Sequence, residues 1–151
     1  MILVGIDTNL LIYAADRDAE SDKHRMAAAL LKGLARTGCG LLPLQALAEF
    51  YAVTTRKNIV PAAVAAVFAD ALTESFPVHE AALPDIRDAM RVHRDHGIAF
   101  WDGMLWSVVR RAGARILLSE DFQDGRVLEG VRFVNPFPAA NASLIEAIVA
   151  A

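Results

Sequence analysis

Ile2-Leu3-Val4-Gly5-Ile6-Asp7-Thr8-Asn9-Leu10-Leu11-Ile12 is an apolar run interrupted once, by a carboxylate, a hydroxyl and an amide. Ile2 to Ile6 reads as a short strand covered on both faces, and a short helix is plausible from Thr8. Neither a buried strand nor a buried helix favours polar residues, so the three at the junction need a reason. One is local: Asp7 is an ordinary N-cap for a helix starting at Thr8 or Asn9. The other is architectural. Open parallel sheets bind ligands just beyond the carboxyl ends of their strands.

Outward from this stretch, helical and strand patterns alternate. Lys23 to Arg36 carries Met26, Leu30, Leu31 and Leu34 at helical spacing before Gly38, and Gly40 to Leu42 reads as a second strand. Gln45 to Arg56 places Leu47, Phe50, Tyr51 and Thr54 on one face. Pro61 suits a helix start, with Val64, Val67, Phe68 and Leu72 as the apolar stripe to about Glu74, followed by a strand at Phe76 to Val78. Pro84 to His96 and Trp101 to Ala112 read as helices separated by Gly97. Arg115 to Leu118 and Arg132 to Val134 are short β-like runs. The pattern predicts an α/β layer fold with a parallel sheet of about five strands and helices on both faces. One domain is expected over residues 1–137, with 138–151 as a tail forming a small helix packed on it or partly frayed.

The 151 residues are 55% hydrophobic and 22% charged, enough for one domain with a substantial core. No membrane span or secretory signal is visible. Cys39 is the only cysteine and reads as a small core residue suited to a reducing cytoplasm. The formal charge of −3 argues against a globally basic nucleic-acid surface, though not against local patches.

The acidic residues concentrate at informative places. Asp7 follows the first strand, and Ser119, Glu120 and Asp121 follow a later one, so all emerge on the same edge of the sheet. Glu49 lies in the helix after the second strand, among the apolar Leu47, Ala48, Phe50 and Tyr51. Asp102 begins the helix before the fourth strand. Convergence of these four carboxylates would be unfavourable without a cation. Oxygen-only ligation favours Mg²⁺ or Mn²⁺ over zinc. A hard ion held by few carboxylates keeps several waters, one of which can be polarised to attack a phosphodiester, which is nuclease chemistry. Each acid also has an ordinary role: Asp102 favours a helix dipole, and Asp121 suits a turn completed by Gly125.

Asp7-Thr8-Asn9 with "LLIYA", Glu49 in "LQALAEFYAVTTRK", Asp102 in "FWDGMLWSVVRRAG" and Asp121 in "ILLSEDFQDG" resemble the ordered motifs of the PIN-domain family, particularly the VapC-type toxin ribonucleases. The similarity runs from about Ile2 to Phe137. It implies a three-layer fold with a central parallel sheet, and metal-ligating or metal-orienting carboxylates at Asp7, Glu49, Asp102 and Asp121. Asn9 and Ser119 match supporting polar positions. Where the toxins often carry T-x-D-x-D-F, this chain has Ser119-Glu120-Asp121-Phe122-Gln123-Asp124. Asp124 is therefore a candidate second acid of that motif, Glu120 an exposed neighbour. Trp106 and Ser107 replace small residues and would alter pocket shape. The resemblance further implies an RNA substrate, a homodimer and a cognate antitoxin covering the active edge, although PIN domains also serve in RNA processing.

Other residues have competing readings. Arg110, Arg111, Arg115 and Arg126 could contact phosphate or end helices in solvent. His93 and His96 read as a surface pair, and Tyr13, Phe50 and Tyr51 as core, base-stacking or dimer residues. A phosphoacceptor module of the response-regulator type also gathers acids at strand ends, but it wants a lysine near the final strand, and the only lysines are Lys23, Lys32 and Lys57. An aspartyl phosphatase would want a second acid where Asn9 stands, and a catalytically silent binding protein would not need the acidic set.

Overall fold

Val4–Ile6 (β1) is buried along its whole length, as a strand flanked by neighbours on both sides must be. In the computed structural model, which describes residues 1–20 and 22–150, the remaining elements are Thr8–Ala15 (α1), Lys23–Thr37 (α2), Gly40–Pro43 (β2), Leu44–Arg56 (α3), Ala62–Ser75 (α4), Val78–His79 (β3), Leu83–His96 (α5), Phe100–Arg111 (α6), Ile116–Leu118 (β4), Val127–Leu128 (β5), Val131–Val134 (β6) and Ala142–Ala150 (α7). A single 3₁₀ turn, Ala139–Asn141, leads into α7.

The sheet runs β3-β2-β1-β4-β6-β5. Its first five members in that order are parallel, and β5 alone is antiparallel, hairpinned onto β6. The five parallel strands expected are present, and β5 adds a sixth, antiparallel one. The added strand comes from a two-residue turn, Glu129 and Gly130, both with positive φ (46° and 87°), the backbone a tight hairpin requires. Val127-Leu128 is too short to register as an apolar run.

Among the described residues seven helices flank the sheet, and α6 packs on β1 at close range. A Cβ at Gly5 would stand 2.6 Å from both γ-methyls of Val109, so only glycine fits there. Trp106, Phe50, Phe133 and Leu117 are among the fully buried side chains of the core. Trp106 Nε1 donates to the Leu128 carbonyl at 3.3 Å, which satisfies its one polar atom.

Several expected core faces differ. On α4 the buried residues are Ala65 and Leu72, while Val64 and Val67 are 50% and 70% exposed. The helix is apolar nearly all round, so its periodicity does not distinguish the packed side from the free one. On α3, Phe50 and Thr54 are buried but Tyr51 is exposed. Phe76 is not in a strand: it closes α4 and packs into the core beside Gly40. Ile2 is exposed ahead of β1.

The C-terminal segment lies on α2. Arg36 donates to the Val149 carbonyl at 2.7 Å, and Val149 packs where Gly33 leaves space. Cys39 is buried, with Sγ 3.0 Å from Thr37 Oγ1. Among the described residues no helix is long and apolar enough to cross a membrane.

Candidate active site at the carboxyl edge of the sheet

Register brings the first two polar residues together. Ile6 pairs with Leu118, so the residues that follow, Asp7 and Ser119, leave adjacent parallel strands side by side. The backbone continues the ladder for one step: Asp7 N–H donates to the Leu118 carbonyl at 3.1 Å, and Ser119 N–H to that of Val134 at 3.0 Å.

Ser119 is a hub with its full hydrogen-bonding capacity used. Its hydroxyl donates to Asp7 Oδ2 at 2.6 Å and accepts from the Asp121 N–H at 3.0 Å and Asn9 Nδ2 at 3.2 Å. Asn9 Nδ2 also stands 3.2 Å from Asp121 Oδ2 and 3.5 Å from Asp7 Oδ2. The other oxygen of Asp7 accepts the Thr8 N–H at 2.6 Å, so Asp7 does cap α1. Capping and membership of the acidic cluster occupy different oxygens of one carboxylate.

Glu49 enters from α3. Thr8 Oγ1 donates to its Oε2 at 2.9 Å, and Gln45 Nε2 to its Oε1 at 3.0 Å. Gln45 Nε2 lies in turn 3.1 Å from the Trp101 carbonyl, tying Glu49 to the first turn of α6, where Asp102 sits. Thr8 and Gln45 had no assigned role in the sequence reading, although Gln45 and Glu49 are four apart on one helix and could have been paired on that spacing. Gly103, next to Asp102, lets α6 close on α5: a Cβ there would meet Ala89 Cα and Val92 Cγ2, each at 3.1 Å.

The electrostatics show that the four acids share one region. Burial drives the Asp7 carboxyl up, the bonds from Ser119 and Thr8 draw it back, and the charges of Asp121 and Asp102 raise it again, leaving it at about 6. Asp102, half-buried and without a hydrogen-bond partner among the described residues, is raised by burial and then by Asp121 and Glu49.

The donor chemistry fits a hard divalent cation. Every donor is oxygen, the charges repel, and Asn9 Oδ1 is buried without a partner. Among the described residues no three His, Cys, Asp or Glu side chains stand close enough together to hold a metal ion as they lie. An open carboxylate set suits Mg²⁺ or Mn²⁺, which retain water in their shells, better than a cation stripped to protein ligands alone.

The remaining candidates lie elsewhere. Asp124 accepts from the Asn135 N–H at 2.9 Å and from Asn141 Nδ2 at 2.9 and 3.1 Å, holding the segment before α7 instead of joining the acids. These bonds keep its carboxyl below the usual range. Arg111 grips the buried Asp85, Arg110 pairs with Asp88 and Glu129, and Arg126 donates to the His96 carbonyl. Arg115 precedes β4, at the opposite end of the strand from Ser119. The four arginines are thus engaged away from the acidic edge. His93 and His96 are exposed, with His93 Nδ1 2.9 Å from the Ile98 carbonyl. Ser107 bonds Asp85, and Trp106 reaches β5, so neither shapes the acidic edge directly. Glu120 is no exposed neighbour: it binds Tyr13 and Lys23.

Carboxylates gathered beyond parallel strand ends, braced by a serine and an asparagine, define an α/β protein with an acidic edge. The PIN domain family matches residues 4–126. The chain belongs to that family. Among solved structures, the fold is similar to that of VapC20 from Mycobacterium tuberculosis, described as a sarcin-ricin loop cleaving toxin, with 22% identity over 85% of this chain and 98% of that one and a TM-score of 0.65. It is also similar to a toxin-antitoxin complex from Klebsiella pneumoniae (16% identity, 89% and 98% covered, TM-score 0.65). A third similar structure is VapBC2 from Rickettsia felis bound to a fragment of promoter DNA (14% identity, 89% and 98% covered, TM-score 0.66). No curated protein matches the chain.

Proposed function

We propose that this PIN-domain chain is a Mg²⁺- or Mn²⁺-dependent endoribonuclease and the toxin of a toxin-antitoxin pair. The observation that carries the reading is the hydrogen-bonded cluster of Asp7, Asn9, Ser119 and Asp121 just beyond the strand ends, with Glu49 tied through Gln45 to the turn that carries Asp102. Asp7, Glu49, Asp102 and Asp121 would hold the cation. When bound, it would neutralise the cluster, stabilise charge on the phosphate and supply the water nucleophile.

The chain's own residues prepare that edge. Ser119 holds Asp7 by one oxygen and Asp121 by its backbone N–H, which keeps two like charges in place before any cation arrives. Thr8 and Gln45 each take one oxygen of Glu49 and so set the plane of its carboxylate. Asp121 is exposed while Asp7 is buried, so the cluster grades from the sheet outward to where a phosphodiester can approach.

The similar folds include a toxin and two complexes of toxin with antitoxin. By that likeness the partners are an RNA substrate, a cognate antitoxin and a second copy of the chain, and the place of action is the cytoplasm. Val64 and Val67 on α4 offer an exposed apolar face that a second copy would cover. The receiver-like alternative is not favoured: Lys23 is bound to Glu120 and Tyr13.

The test is incubation of purified protein with structured and single-stranded RNAs in Mg²⁺, Mn²⁺ or EDTA. Internal cleavage in either metal and none in EDTA is expected. Intact RNA under all conditions, or cutting that continues in EDTA, would overturn the reading.

A further inference from the structure

Glu120 sits in the chain between Ser119 and Asp121, the two residues that build the acidic edge from β4, yet its carboxylate is taken up by two helices. The Tyr13 hydroxyl of α1 donates to Oε1, and Lys23 Nζ, at the start of α2, stands 2.9 Å from Oε2. Lys23 also reaches the Tyr13 hydroxyl at 3.4 Å. Its ammonium lies 4.9 Å from the ring centroid of Tyr13 and 5.2 Å from that of Phe137, rings that themselves meet edge to face at 5.2 Å. With a side chain only 21% exposed, Glu120 is partly withdrawn from water, where an ion pair of this kind is screened less than one on an open surface.

The arrangement addresses a mechanical need. Asp121 is exposed and stands among like charges, and among the described residues two hydrogen bonds restrain it: its N–H on Ser119 and its carboxylate on Asn9. Repulsion from Asp7 and Asp102 acts to push it outward. An anchor one residue before it, fastened to α1 and α2 together, opposes that displacement. Among the described residues the other hydrogen bonds of the 119–121 segment go to Asp7, to Asn9, to the Val134 carbonyl and within the segment itself.

We infer that Glu120, clasped by Tyr13 and Lys23, is a positioning residue that holds Asp121 in place for the cation. The inference rests on the metal-dependent reading of the acidic edge and adds to it a residue with no part in ligation. Residues that orient metal ligands commonly change metal affinity or activity by about 10–100-fold when removed.

The experiment measures Mn²⁺ affinity by direct titration, and kcat and KM for a cleaved RNA, in the parent, Glu120→Ala, Glu120→Gln and Tyr13→Phe. Glu120→Ala is expected to weaken Mn²⁺ binding and lower kcat, each about tenfold, with KM for RNA little changed. Glu120→Gln, which can keep the Tyr13 bond, should recover most of that loss. Should Glu120→Ala not fold, Glu120→Gln and Tyr13→Phe carry the test, each expected to weaken Mn²⁺ binding by about two- to threefold. Unchanged Mn²⁺ affinity would overturn the inference. So would a loss confined to KM, which would mark Lys23 and Glu120 as an RNA contact instead. A parent that binds Mn²⁺ but cuts no RNA sinks the ribonuclease reading and leaves this one to the Mn²⁺ titration; a parent that binds no Mn²⁺ sinks both.

Discussion

Asn9 and Asp121, 112 residues apart in the chain, meet at 3.2 Å, amide nitrogen to carboxylate oxygen. The same nitrogen faces Ser119 and Asp7, so a neutral side chain supplies the donor that keeps two repelling acids together. Its own carbonyl is left buried and unpartnered.

Replacing Asn9 by Ala removes that donor and leaves the charges less compensated. The metal-free variant is expected to lose about 1–2 kcal/mol of stability, which for a chain of this size lowers Tm by roughly 2–8 °C. Calorimetry with and without Mg²⁺ checks it. The cation should raise the Tm of parent and variant alike, because a ligand that binds only the folded state stabilises it by mass action.

Stability should depend on pH through Asp7. Its carboxyl titrates at about 6 in the folded chain against an ordinary 3.8, so between those values the folded state holds a proton that the unfolded chain has released. The metal-free protein is thus most favoured by this group below pH 4. Stability falls as pH rises through the window and the loss is complete somewhat above pH 6, by on the order of 3 kcal/mol. Asp102, also raised, acts in the same sense. Chemical denaturation from pH 4.5 to 8 tests this, and Asp7→Asn should flatten much of the slope.

Asp85 should behave in the opposite sense. Burial pushes its carboxyl up, but bonds from Arg111, the Ala82 N–H and Ser107 outweigh burial and hold it below its usual range. Its contribution is therefore present above about pH 4 and lost as pH falls through the depressed value. Asp85→Ala takes from Ser107 its shorter bond, leaving only Asp88 at 3.4 Å, and frees one side of Arg111; it should destabilise the fold by about 2–3 kcal/mol while sparing cleavage by the folded fraction. Denaturation and specific activity, measured together, separate the two effects.

The legible part of the sequence was what strand ends dictate. Asp7 and Ser119 each follow a buried aliphatic run, and parallel register alone places them side by side. Glu49 and Asp102 were legible as acids on helices, but the links that set them, Thr8 to Glu49 and Gln45 to the Trp101 carbonyl, depend on how α1, α3 and α6 pack. Arginines were the least legible. Arg111 and Arg110 reach partners on α5 and in the β5–β6 hairpin, and no spacing along α6 reveals which long side chain will find Asp85 or Glu129. Asp85 drew no reading from the sequence, because its burial comes from tertiary contact. Val64 and Val67 failed for a related reason: on a helix apolar all round, composition does not say which face is covered.

The most direct test of the account is RNA cleavage in Mn²⁺ by Asp7→Asn and Asp102→Asn beside the parent, with folding of each verified by its melting curve. The account predicts folded variants, at least as stable as the parent in the absence of metal because one like charge is gone, whose cleavage falls by about a hundredfold or more, corresponding to roughly 3 kcal/mol of transition-state stabilisation. Cleavage at the parental rate by either folded variant would contradict it.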